Sequence, residues 1–214
     1  SRRVDFEKND LVRNKNKHAI FVGGSFTFGE GLMNRYSFPS VFEAKSDSFQ
    51  MYNYGFGGYG PHQIALFFKS GVDIINNKSI KQKRGFMMYT YFNPHLNRVY
   101  GGSDYLIYGS STPDVFVDGD SLIFRKRSRV HLLLSLIINE SYTLRFFQIK
   151  LKHPETDEFY KRFASIVNYS AKNYWKSFPD CDFYVSVYPT RRSSPKWLKY
   201  LNNRVKVIEI ELPE

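Results

Sequence analysis

The run FVGGSFTFGEG, Phe21 to Gly31, admits few local folds. A short apolar stretch, His18 to Val22, meets Gly23 and Gly24, then Ser25, then Phe26, Thr27, Phe28 and Gly29. A strand that ends in two glycines can turn sharply into a helix and leave the next hydroxyl exposed beside the N–H groups of the helix start. Two readings of Ser25 follow: a hydroxyl presented for chemistry, or the cap of a tight strand-to-helix turn.

The rest of the chain repeats the strand-then-helix rhythm. A helix is expected over Phe38 to Ala44, opened by Ser37 and Pro39, and a second strand over Phe49 to Tyr54, which runs into GFGGYGPHQ. The next helix starts near Pro61 and carries Ile64, Ala65, Phe67, Phe68 and Val72 at helical spacing. A third strand, Phe86 to Phe92, is almost wholly apolar, which places it centrally, and Pro94 forces the chain out of it. Tyr100 to Phe124 breaks the rhythm; Asp118-Gly119 signals a surface hairpin inserted there, where it would shape a substrate pocket or merely decorate the fold. Two helices are expected over Val130 to Lys150 and Glu155 to Ser177, the LLLSLII run packing on the sheet because it is too short to span a membrane. A fourth strand, Phe183 to Tyr188, a short helix near Pro195 to Leu201 and a fifth strand, Val205 to Ile210, follow.

This alternation predicts an α/β fold with a parallel sheet of about five strands covered by helices on both faces. A lead-in, 1–17, precedes one domain, 18–214, with the insertion at about 100–125. In such sheets the functional crevice lies beyond the carboxyl ends of the strands. Ser25, the glycine loop and Asn93 all follow the ends of strands one, two and three. A serine nucleophile there needs fixed donors for the oxyanion that its attack on an ester carbonyl creates. A glycine N–H at the second strand end and the Asn93 amide at the third would supply them. Asn53 would brace the glycine loop or cap its own turn.

These residues resemble the SGNH, or GDSL-like, hydrolase superfamily. Gly23 to Gly29 is similar to its serine block, with Gly24 where that family expects Asp; Asn53, Gly55 and Gly58 are similar to its N-x-G-x-x-G block. The third block matches only at Asn93, because Phe92 and Pro94 replace the usual neighbours. The resemblance implies a flavodoxin-like three-layer sandwich and a serine esterase, O-acyl (acetyl) hydrolase or acyltransferase. Ser25 would then be the nucleophile, with the Ser25 and Gly58 amides and the Asn93 side chain as oxyanion donors. It also implies a DxxH base after the fifth strand, and none of His18, His62, His95, His131 or His153 has an Asp three residues earlier. The block would begin about where the chain stops, at Glu214, so either the chain is cut short or disordered there, or the scaffold has lost its base. His62 and His95, beside the second and third blocks, are candidates for touching substrate, with Arg98 and Tyr91 in similar standing.

Charge bounds the partners. The chain of 214 residues carries +11, which favours acidic partners, yet the cations fall in short clusters: Lys78, Lys81, Lys83 and Arg84; Arg125, Lys126, Arg127 and Arg129; Arg191 and Arg192. None belongs to a nucleic-acid module, and no apolar run reaches membrane-spanning length. An acyl ester on an envelope glycan or lipid is the expected substrate, and the cell envelope or periplasm the expected place. The single cysteine, Cys181, excludes an internal disulfide, and no His/Asp/Glu cluster has metal-ligand spacing, so no metal or cofactor is expected. The chain opens on Ser1 rather than Met, so a processed form or fragment is expected. One alternative is an inactive SGNH-fold binding protein of the envelope. A weaker one is an NADP-type binder, since Gly55, Gly57 and Gly60 spell G-x-G-x-x-G and the cations from Lys78 to Arg84 could accept a 2′-phosphate.

Overall fold

The computed structural model describes residues 15–69, 75, 80–102, 113–188 and 194–210. The first apolar run is β1, Lys17–Gly23, buried from His18 onward. Its side chains divide by the strand's period of two. Ala19 and Phe21 enter a small core with Met51 and Met88, whereas Ile20 and Val22 enter the main one. The Ser25 turn is α1, Ser25–Phe28, ended by Gly29 in the left-handed region (φ 80°). Helix α2, Phe38–Ala44, follows, and β2, Phe49–Gly55, pairs with β1 in parallel. Helix α3 is Pro61–Lys69, β3 is Arg84–Tyr91 and α4 is Pro94–Tyr100.

The hairpin consists of β4, Asp114–Asp118, and β5, Ser121–Arg125, joined by Gly119 and Asp120. Gly119 takes the first central place with φ 55°, the positive φ that a tight hairpin turn requires there. Beyond it come α5, Arg129–Glu140, α6, Tyr142–Phe146, and the long α7, Asp157–Ser177. Thr156 caps α7 by accepting from Phe159 N–H, and Asp157 and Glu158 occupy its first turn, as its dipole favours. Strand β6, Asp182–Val187, a 3-10 turn, Lys196–Tyr200, and β7, Val205–Glu209, complete the described chain.

The sheet order is β2-β1-β3-β6-β7, every neighbour parallel. This is a five-stranded α/β sandwich of the flavodoxin-like order, whose direction of winding reverses between β1 and β3. Strand β3 is central, as its composition predicts. Helices α3, α4 and α7 cover one face, through Ile64, Ala65, Leu96, Val99 and the buried stripe of α7. Helix α2 covers the other, with Phe42 edge-on to Phe21 and Phe86. A fully buried Ile, Leu or Val among these contributes about 1.5–3 kcal/mol.

Three expectations are corrected. The helix expected over Val130 to Lys150 breaks at Ser141, whose Oγ accepts from Leu144 N–H and starts a new helix. The LLLSLII helix does not pack on the sheet: among its residues Leu133, Leu134, Leu136 and Ile137 are exposed, and only Ser135 is buried. The reason is tethering. Arg127 donates to the Val99 and Tyr100 carbonyls and His131 bonds Gly101 O, while His153 bonds Asn97 Oδ1, so both feet of this excursion stand on α4. Third, the hairpin is not a surface ornament. Val115 and Leu122 are buried in the main core, and Arg162 of α7 holds the Val115 carbonyl and the Asp114 carboxylate. The lead-in up to Asn14, residues 103–112 of the insertion, Lys78 and Arg191–Arg192 lie outside the described residues.

Candidate active site

The register sets the site. Gly23, the last residue of β1, pairs with Gly55 at the end of β2 and with Thr90 near the end of β3, so three loops leave the sheet side by side. The first helical bond of α1 runs from Phe28 N–H to Gly24 O (3.0 Å), which leaves the amides of Ser25, Phe26 and Thr27 ahead of it without intrahelical acceptors. Ser25 is half-buried.

Asn53 ties the first two loops together. Its Nδ2 donates to Thr27 O (3.1 Å), and its Oδ1 accepts from Gly55 N–H (2.9 Å), so the two sequence readings of this residue are both realised. Phe56 N–H adds a bond to Gly23 O (3.1 Å). A side chain at 55 would sit 2.5 Å from Phe28 N and 2.8 Å from the Thr27 carbonyl carbon. Only glycine lets β2 approach α1 this closely. Gly58 has a different need. It holds φ 82° in a turn closed by Tyr59 N–H to Phe56 O (3.1 Å), a conformation for glycine at the third turn position, and its amide lies outside that closing bond.

Ser25 and Gly58 line one open pocket of about 310 Å³, together with Phe28, Glu30, Phe56, Gly57 and Arg98. Asn93 is not among these walls. It opens α4 one strand away, and Tyr91 O–H donates to its Oδ1 (3.1 Å), a bond that does not use the amide nitrogen. Phe26 beside Ser25 packs on Phe92 beside Asn93, ring centroids 5.0 Å apart, so the two loops touch.

His62 and His95 lie beneath the site rather than in its lining, at 3 % and 0 % exposure. His95 Nδ1 bonds Tyr89 Oη (2.7 Å), while its Nε2 lies 3.0 Å from where a side chain at Gly24 would begin. Arg98 Nη1 is 2.8 Å from that same point and donates to Tyr59 O (2.5 Å). The space that an Asp at position 24 would enter is thus crowded by His95 and Arg98. Burial first, then the charges of Arg127, Arg98 and Arg162, pulls the His62 pKa from 6.5 to about 3. Burial, then Arg98 and His62, holds His95 well below its ordinary value. Both are neutral imidazoles at physiological pH.

Glu30 is the lining residue that motif reasoning overlooks. Gly29 reverses the chain after α1 so that Glu30 N–H bonds Ser25 O (3.0 Å), and its carboxylate lies along Gly57, 3.4 Å from where a side chain there would begin. The helix-ending glycine four residues after Ser25 was the available signal.

No family model matches the chain, and no curated protein does. Among solved structures, a mutant of the esterase AlinE4 is similar at 15 % identity, with a TM-score of 0.35, over 78 % of this chain and 75 % of that one.

The dinucleotide reading loses its phosphate partners. Lys81, Lys83 and Arg84 line a cleft with Lys15 and Lys17 at the amino ends of β1 and β3. Gly55 to Gly60 follow the carboxyl end of β2, and β3, eight residues long, puts roughly 23 Å between its two ends. Among the described residues no group of three or more His, Cys, Asp and Glu side chains could hold a metal ion, and no helix is long and apolar enough to cross a membrane.

Proposed function

We propose that the chain is a serine esterase or O-acyl hydrolase of the SGNH type. The observation that carries this reading is the pocket that Ser25 and Gly58 share beyond the carboxyl ends of β1 and β2, with Arg98 of α4 in its wall. Ser25 Oγ attacks the acyl carbon, the alcohol leaves as the acyl–oxygen bond breaks, and water then hydrolyses the acyl-serine. The Ser25 and Gly58 amides and Asn93 Nδ2 take the developing oxyanion, fixed before reaction by the Asn53 bridge and the Tyr91–Asn93 bond. Arg98 adds positive charge at the same wall. Acyl transfer to another alcohol is the same chemistry with water replaced, and an envelope glycan or lipid is the carrier this reading favours.

The proton of Ser25 must be accepted as attack proceeds. Glu30 is the carboxylate among the pocket-lining residues, and this reading assigns it that role. With no histidine in the pocket lining, turnover is slow, and much of the acceleration is supplied by the oxyanion donors, on the order of 10³-fold over water. Hydrolysis of p-nitrophenyl acetate is expected from the chain and not from Ser25→Ala, with Glu30→Gln intermediate; equal rates in chain and Ser25→Ala overturn the assignment.

A binding protein built on the same scaffold is the second reading, and one observation favours it. All five histidines of the chain are described, and none lines the Ser25 pocket. No turnover in that assay, together with saturable binding of an acyl ester in calorimetry, supports it.

A further inference from the structure

The α5–α6 excursion presents apolar side chains outward. Leu133, Leu134, Leu136 and Ile137 are between 46 % and 59 % exposed, and Tyr142 and Phe146 on α6 are 83 % and 81 % exposed. Helix α5 has 12 residues, a length of roughly 18 Å, which is too short to cross a bilayer but enough to lie along one. Charge selects the occupant. From Arg125 to Lys152 there are seven Lys and Arg against the single acidic Glu140. Arg127 is buried on Asp114 and the α4 carbonyls, whereas Arg125, Lys126, Arg129, Arg145, Lys150 and Lys152 are exposed along the same segment. Exposed apolar side chains on a short helix, in a segment whose exposed charges are almost all cationic, match an interface of acyl chains beneath anionic headgroups. A second copy is a poor occupant, because a two-fold contact would set two cationic segments against each other in a chain that already carries +11.

We propose that α5 and α6 form a docking surface for an anionic lipid membrane, with the apolar side chains seated at the headgroup boundary and the six cations on the headgroups. The feet of the excursion are held by Arg127 on the α4 carbonyls and Asp114, by His131 on Gly101 O, and by His153 on Asn97 and the Phe159 ring, while the apolar side chains of α5 and α6 named above are exposed. This inference does not depend on the catalytic reading.

The test is co-sedimentation of the full chain with vesicles of phosphatidylcholine alone and of phosphatidylcholine containing phosphatidylglycerol. Binding to the mixed vesicles, weakened by salt and low on phosphatidylcholine alone, is expected. One cation near an anionic surface contributes roughly fivefold, so Arg129→Glu with Arg145→Glu lowers partitioning more than about tenfold. Ile137→Ser with Phe146→Ser lowers it at unchanged charge. Both pairs are exposed, and an unchanged circular dichroism melt separates lost docking from lost folding. Equal binding to the two vesicle types, binding to neither, or a solution dimer that Ile137→Ser dissociates overturns the proposal.

Discussion

Asn53 is the side chain on which the site geometry turns, because one carboxamide holds two loops at once. Asn53→Ala removes both bonds, and at about 1 kcal/mol each it should lower stability by about 2 kcal/mol in urea unfolding while the Ser25 and Gly58 amides lose their common frame. Gly55→Ala should cost about 1–3 kcal/mol, since the atoms it meets are backbone of α1 and cannot rotate away. Gly58→Ala meets nothing within 4 Å and pays only for its left-handed φ, about 1–2 kcal/mol. The places of Ser25 and Gly58 in the turns beyond β1 and β2 were legible in the sequence because glycine beside a strand end is a backbone requirement, which one residue type answers. Glu30 and the depth of His62 and His95 were not, since they depend on where α1 turns back and on how α4 packs, both tertiary outcomes.

At the scale of elements, strands were legible to within a residue or two because each is an apolar run between breakers. Helix α2 matches its expected bounds, Ser37 and Pro39 marking its start. The error over Val130 to Lys150 shows what composition cannot carry. A leucine-rich helix announces an apolar partner without saying whether that partner is the sheet. The deciding contacts are polar and lie outside the run, on Arg127 and His153. Arg127→Met should therefore act at a distance. It leaves the Val99 and Tyr100 carbonyls without their donor and strips Asp114 of one of its two arginines. A loss of about 3 kcal/mol is expected, with raised proteolytic cleavage between residues 125 and 153; an unchanged melting temperature contradicts the tethering role.

For the molecule as a whole, acid is the predicted weakness. His18, His62 and His95 are buried with pKa values lowered chiefly by desolvation. The unfolded chain takes up protons at these rings as pH falls through 6.5, and the folded chain resists, for His62 until about pH 3. Stability is therefore full above pH 6.5 and declines below it, by about 1.4 kcal/mol per pH unit for each ring that stays neutral. Urea midpoints should fall steeply between pH 6.5 and 4, and His62→Gln should flatten that slope. A midpoint constant across this range contradicts the burial of these rings as neutral groups.

The proposed nucleophile is Ser25. Its most direct test is covalent: the chain is treated with a fluorophosphonate, digested and read by peptide mass. A phosphonyl adduct on the peptide that carries Ser25, absent after Ser25→Ala, is the result predicted. Labelling elsewhere, or no labelling at all, contradicts it.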